Sequence, residues 1–237
     1  MANVKTYGIL YCSDGTEIAL LNASTAESTA IGAATFVNVQ TSTINNYNVQ
    51  SSDIGTAYPG KTIEASTPMQ AENGIGSCYV LRAGQIINVL PVAKAGVVND
   101  SKIMLCTGTT LQAGDKIMIK PLAAASRMVS FAVYTNRGQY HVFEALPTGA
   151  GDVSLTSTLT GNSLGDTLQG QNIVKSYVTS IDGAKLSSSA GGVLVISDKN
   201  EIVGAQVASS PLTAQPMFEA CSMPVGLNYI ARATLTS

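Results

Sequence analysis

Tryptophan is absent from the 237-residue chain, histidine occurs once, and charged residues make up only 12% of it. Each shortage closes off a class of function. The single imidazole, His141, cannot supply a histidine ligand set, and Cys12, Cys78, Cys106 and Cys221 lie far apart with no Cys-x-x-Cys pair. A Cys/His zinc site therefore lacks ligands at usable spacing, and no metal or cofactor is expected. The cysteines read as small buried apolar thiols, with pairing left open for an oxidising exterior. The 13 Lys and Arg residues are scattered singly and the net charge is -2. No basic block exists to neutralise phosphates, so nucleic acid is not an expected partner. No apolar run approaches the roughly 20 residues that span a bilayer, so no membrane partner is expected either. The start, Met1-Ala2-Asn3-Val4-Lys5, lacks the charged-then-apolar pattern of a signal peptide, which predicts synthesis in a cytoplasm without export.

With charge at about half the usual share of roughly 25%, something else must cover the surface. Ser, Thr, Asn and Gln do so, as in Thr41-Ser42-Thr43-Ile44-Asn45-Asn46 and Leu155-Thr156-Ser157-Thr158-Leu159-Thr160. Such a surface is wet but repels its own copies weakly. A homo-oligomer or a larger assembly is the expected state.

Strand-length runs recur along the chain. Tyr7 to Tyr11, Thr35 to Val39, Ile86 to Leu90, Ile103 to Cys106, Lys116 to Ile119, Val129 to Tyr134, Tyr140 to Phe143 and Gly192 to Ile196 are β-branched, aromatic or alternating. Turn signals fall between them at Asp14-Gly15, Pro59-Gly60, Ala113-Gly114-Asp115 and Arg137-Gly138. The pattern predicts an all-β protein of barrel or sandwich architecture. Helix signals are sparse. Ala23 to Ala34 is alanine-rich without an apolar stripe, and Pro216 to Ile230 leaves room for a short helix or turn near Val225 to Tyr229. Gln40 to Tyr58 is nearly uncharged and reads as a long loop or a β-region made for a neighbour. Polar Glu64 to Asn73, with Pro68, suggests a boundary, giving an N-terminal β region over 1–70 and a barrel or sandwich domain over 71–237.

Three segments resemble the HtrA branch of trypsin-like serine proteases, over roughly residues 74–230. The first is Gly74-Ile75-Gly76-Ser77-Cys78-Tyr79-Val80-Leu81, then Gly84 to Val92. In the family this is a Gly-x-Gly-Ser strand, a turn, and a strand ending in the catalytic histidine, which falls at Pro91. The second is Gly151-Asp152-Val153-Ser154-Leu155, where Asp152 matches the orienting aspartate. The third is Ser189-Ala190-Gly191-Gly192-Val193-Leu194-Val195, where Ala190 takes the nucleophile position. The resemblance implies a double β-barrel whose triad is degenerate. Proline offers no titratable nitrogen and alanine no hydroxyl, so general-base and nucleophilic steps are both lost. No catalytic residue is assigned.

Other candidates reduce to structure. His141 sits in the strand-like Gln139-Tyr140-His141-Val142-Phe143 and reads as a surface or structural residue. Asp198-Lys199-Asn200 and Asn162-Ser163-Leu164-Gly165-Asp166 lack the oxygen density of a calcium loop and read as turns. In general character, the uncharged Ser/Thr/Asn-rich β chain is similar to capsid decoration or cement proteins of tailed phages. That predicts a non-enzymatic virion component present in many copies, with other particle proteins such as a major capsid protein as partners. A catalytically dead protease-like module that holds a peptide strand is the alternative. An active hydrolase with an unrecognised site ranks third, since it needs a nucleophile beside a base.

Overall fold

The alternating runs become strands because their apolar and β-branched side chains pack on one or both faces of a pleated sheet. The computed structural model describes residues 6–21, 36–38, 40–44, 47–71, 75–92, 102–121, 128–146, 149–181, 185–186, 192–209 and 218–236. Among them are twenty strands and two short helices, so the chain is all-β. Its compact units are Met1–Ala124 and Ala125–Ser237. The division does not fall near residue 70, because strands on either side of that point pair with each other.

In the first unit, β1 (Thr6–Cys12) pairs antiparallel with β2 (Glu17–Leu21), which runs parallel to β3 (Phe36–Asn38). On its other side β1 meets β6 (Thr62–Ser66), which in turn pairs with β10 (Ile103–Thr110). The short β7 (Gln70–Ala71) also joins β1. A second run of the unit places β4 (Gln40–Ile44), β5 (Tyr47–Ser52), β11 (Lys116–Pro121), β8 (Ile75–Arg82) and β9 (Gln85–Leu90) side by side. The described residues of Gln40 to Tyr58 thus form the antiparallel pair β4 and β5 and a helical turn, α1 (Ile54–Ala57), capped by Asp53. Leu10, Ile18, Leu20, Ile54, Ile63, Met69, Cys78, Val80, Leu90, Leu111, Ile117 and Ile119 are buried in this unit.

One ion pair fixes the unit's turns. The Asp115 side chain is fully buried and takes the Arg82 fork on both oxygens, Nε to Oδ1 at 2.8 Å and Nη2 to Oδ2 at 2.7 Å. Its Oδ2 also accepts the Gln112 N–H at 2.8 Å, while Arg82 Nη2 reaches the Thr110 carbonyl. Burial alone pushes the Asp115 carboxyl up, but the Arg82 and Gln112 hydrogen bonds and the Arg82 charge outweigh it and leave its pKa below the ordinary value. The start of α1 lies directly on this turn. Gly55 donates its N–H to the Asp115 carbonyl at 2.9 Å, and a Cβ at Gly55 would sit 1.8 Å from the Gln112 carbonyl oxygen.

The second unit contains β12 (Met128–Thr135), β13 (Tyr140–Ala145), β14 (Gly151–Ser157), β15 (Asn172–Ile181), β16 (Lys185–Leu186), β17 (Gly192–Ile196), β18 (Ile202–Ser209), β19 (Phe218–Pro224) and β20 (Ile230–Thr236). Pairing runs β12-β15-β18-β17-β20-β14-β13, and β13 returns to β12. The sheet therefore closes on itself as a barrel, which leaves those strands with few free edges. All contacts in the ring are antiparallel except β15 with β18, where Val178 and Thr179 lie beside Ala208 and Ser209. β15 splits its second edge, since its first half pairs with β19 instead. Of Pro216 to Ile230, the described residues from 218 on form β19 and then the turn expected as the alternative to a short helix, at Leu227 and Asn228.

Val129, Phe131, Val133, Phe143, Leu155, Val178, Val193, Val195, Ala231, Ala233 and Leu235 form one apolar cluster. Their period-2 spacing marks the inner face of each strand. The helix α2 (Leu164–Leu168) joins this core through Leu164 and Leu168. Ser163 caps it, accepting the Asp166 N–H at 3.1 Å and donating its hydroxyl to Asp166 Oδ2 at 2.7 Å. The Asn162-to-Asp166 stretch is a helix start, and the Ser-x-x-Asp spacing is its signal.

Candidate functional site

Of the three protease-like positions, Pro91 belongs to the first unit and Asp152 to the second; Ala190 lies outside the described residues. Pro91 follows β9 directly and is buried. Its carbonyl accepts the Met69 N–H at 2.8 Å, and Met69 and Val92 form a parallel bridge. Pro91 therefore serves as a buried backbone acceptor.

Asp152 is exposed near the start of β14. Its oxygens are engaged across the neighbouring strand: Thr234 donates its hydroxyl to Oδ1 at 2.7 Å, and Arg232 Nη1 stands 3.5 Å from Oδ2. The register sets this arrangement, with Asp152 opposite Thr234 and Ser154 opposite Arg232. As it stands, Asp152 makes a cross-strand polar contact on the barrel's outside.

His141 is half-buried on β13, opposite Val133. It shares its face with Phe143 and Ala145, both in the apolar cluster, so the imidazole projects toward the barrel interior. Its Nε2 is buried with no hydrogen-bond partner among the described residues. Burial holds its pKa below the ordinary value. An imidazole kept neutral can act as a base only if a nucleophile's proton is within reach, and among the described residues no hydrogen bond to Nε2 forms.

No family model, no curated protein and no solved structure matches this chain.

Metal chemistry has no visible foothold: among the described residues no three His, Cys, Asp or Glu side chains cluster as ligands. Cys12 and Cys78 are free, buried thiols, and burial raises the pKa of both. The side chains of Cys106 and Cys221 lie outside the described residues. No described helix is long and apolar enough to cross a membrane.

The second unit also presents an apolar pair outward. Ile202 and Val203, adjacent on β18, are 63% and 39% exposed, beside exposed Ala205. A register shift after Val195 sets Ile202 opposite Ile196 and Gly204 opposite Val195, leaving Val203 as the extra residue. Such a bulge turns neighbouring side chains out of strict alternation. The sequence gives no sign of this exposure, because an Ile-Val pair in a strand carries no mark of which side is buried.

Proposed function

We propose that the chain is a non-enzymatic structural assembly protein, a many-copy component of a virus particle. In this reading it is made in the host cytoplasm and binds copies of itself and other particle proteins such as a major capsid protein. The observation that carries it is the exposed Ile202–Val203 pair on an otherwise weakly charged barrel. Adjacent exposed β-branched residues are a contact surface in search of a partner. Repetition in a symmetric shell turns many weak contacts of this kind into firm attachment. Low charge makes such contacts insensitive to salt.

The alternative is a catalytically dead trypsin-like module that holds a peptide or protein partner. The β8–β9 hairpin ending at Pro91 and the β17–β18 hairpin, which opens at Gly192, favour it. In this reading the glycine segment and its buried strand keep a binding role after loss of the triad. The two readings are compatible, since a particle protein can be built on a protease fold.

Copy number tests the virion reading. Quantitative mass spectrometry of density-purified particles from the source culture is expected to find many copies per particle. Absence of the chain from particles removes the virion reading and leaves the binding module.

A further inference from the structure

We propose that the second unit carries an acid-sensitive element: protonation of His141 inside the barrel loosens Ala125–Ser237. The inference is independent of the assembly role.

The geometry leaves the imidazolium without a partner. On β13 its side-face neighbours are Phe143 and Ala145; across on β12 is Val133, and beyond that Ser176 of β15. On the β14 side, Ser157 stands opposite Phe143. The charged groups nearby face the other way. Glu144 is of opposite parity on β13 and accepts the Thr158 hydroxyl at 2.9 Å. Lys175 stands opposite Tyr134, on the face where Tyr134 and Tyr140 pack ring to ring. The apolar cluster around it includes Leu155, Leu164, Leu168 and Ile173, and the polar groups named on its face are the neutral hydroxyls of Ser176 and Ser157. Protonation would thus add a buried charge with no carboxylate among these neighbours to balance it.

The direction follows from linkage. Burial lowers the folded-state pKa below the ordinary 6.5, and no carboxylate counters it. The unfolded chain takes up the proton near 6.5 and the folded one only at lower pH. Stability is therefore complete above about pH 6.5 and falls as pH drops below it, until the folded-state value is reached. For one proton the unfolding constant rises by up to about tenfold per pH unit in that window. The window sits above the range where ordinary carboxylates titrate.

Because His141 is the only histidine, its imidazole signals are the only ones in an NMR titration of the full chain. The folded protein is expected to titrate at lower pH than the same chain in urea. An equal or higher midpoint overturns the proposal. Urea unfolding of wild type and of His141→Gln and His141→Leu at pH 7 and pH 5.5 gives the second measurement. The wild-type second unit should unfold with an equilibrium constant several-fold larger at the lower pH, and the variants should not. Equal acid sensitivity in a folded variant overturns the proposal. If both variants fail to fold, the wild-type titration decides.

Discussion

Replacing Asp115 by alanine removes the acceptor of three hydrogen bonds, two from the Arg82 fork and one from the Gln112 backbone. Each hydrogen bond to a charged group contributes about 1.5–3 kcal/mol, but the three share one carboxylate and do not add. Breaking a buried pair by deleting one partner costs about 3–5 kcal/mol, chiefly because the other charge is stranded. Here Arg82 keeps a 32% exposed side chain and Gln112 is exposed, so both can turn to water. The loss then falls at the lower end, about 3 kcal/mol. With a urea slope of about 2 kcal/mol/M, the first unit's midpoint drops by about 1.5 M. Circular dichroism reads the transition, and hydrogen exchange resolved by peptide assigns it to residues 1–124. Arg82→Met should cost more, because it strands a carboxylate with no exposure at all. The double variant should cost clearly less than the sum. Asp115 has a lowered folded-state pKa, so its contribution is complete above the ordinary 3.8 and is lost as pH falls through the lower folded value. The gap between wild type and Asp115→Asn should accordingly be flat above about pH 5 and close in acid. A midpoint shift under about 0.3 M for Asp115→Ala, or simple additivity, refutes the view that this pair organises the turns.

Gly165→Ala places a Cβ 2.5 Å from the Tyr229 nitrogen and 2.8 Å from the Gly226 carbonyl oxygen, both backbone atoms that cannot swing away. It should cost the second unit roughly 2–3 kcal/mol in urea unfolding. Gly170→Ala, where space is open but φ is +75°, should cost only about 1 kcal/mol. Ile202→Lys together with Val203→Lys should leave the unfolding midpoint nearly unchanged yet abolish self-association in sedimentation velocity; unaltered association removes β18 from the contact surface. The Cys78 thiol, fully buried and shifted upward, should react with a thiol reagent only after unfolding. The Asp14–Lys61 bridge holds the Asp14 carboxyl down to about 2, through the Lys61 and Thr16 hydrogen bonds. Both partners are open to solvent, so Asp14→Asn should leave the melting temperature in physiological salt unchanged.

The strands were legible because their signal is local. Ile86 to Leu90, Lys116 to Ile119, Val129 to Tyr134 and Gly192 to Ile196 carry their own alternation or β-branching, and each is a strand in the structure. The two helices were not legible from periodicity. A single turn such as Leu164–Leu168 is too short for a 3.6-residue period to show, and only the capping pair Ser163 and Asp166 marks it. The degenerate positions were legible only as residue types. That Asp152 is held by Thr234, 82 residues away, follows from the β14–β20 register and from nothing near Asp152 in the chain.

The sequence by itself determined the all-β character, the turn positions and the chemical poverty of the chain. One histidine, sparse charge and alternating runs are properties of residues taken a few at a time. Only the tertiary structure decided that β13 returns to β12 to close a barrel, that β15 meets β18 in parallel, and that His141 faces inward. Gln139-Tyr140-His141-Val142-Phe143 offers two alternating faces of similar apolarity, and local pattern cannot choose the inner one. The choice is made by strands distant in sequence. Val133 on one side and the closed ring of β14, β20 and β17 on the other bury whichever face meets them.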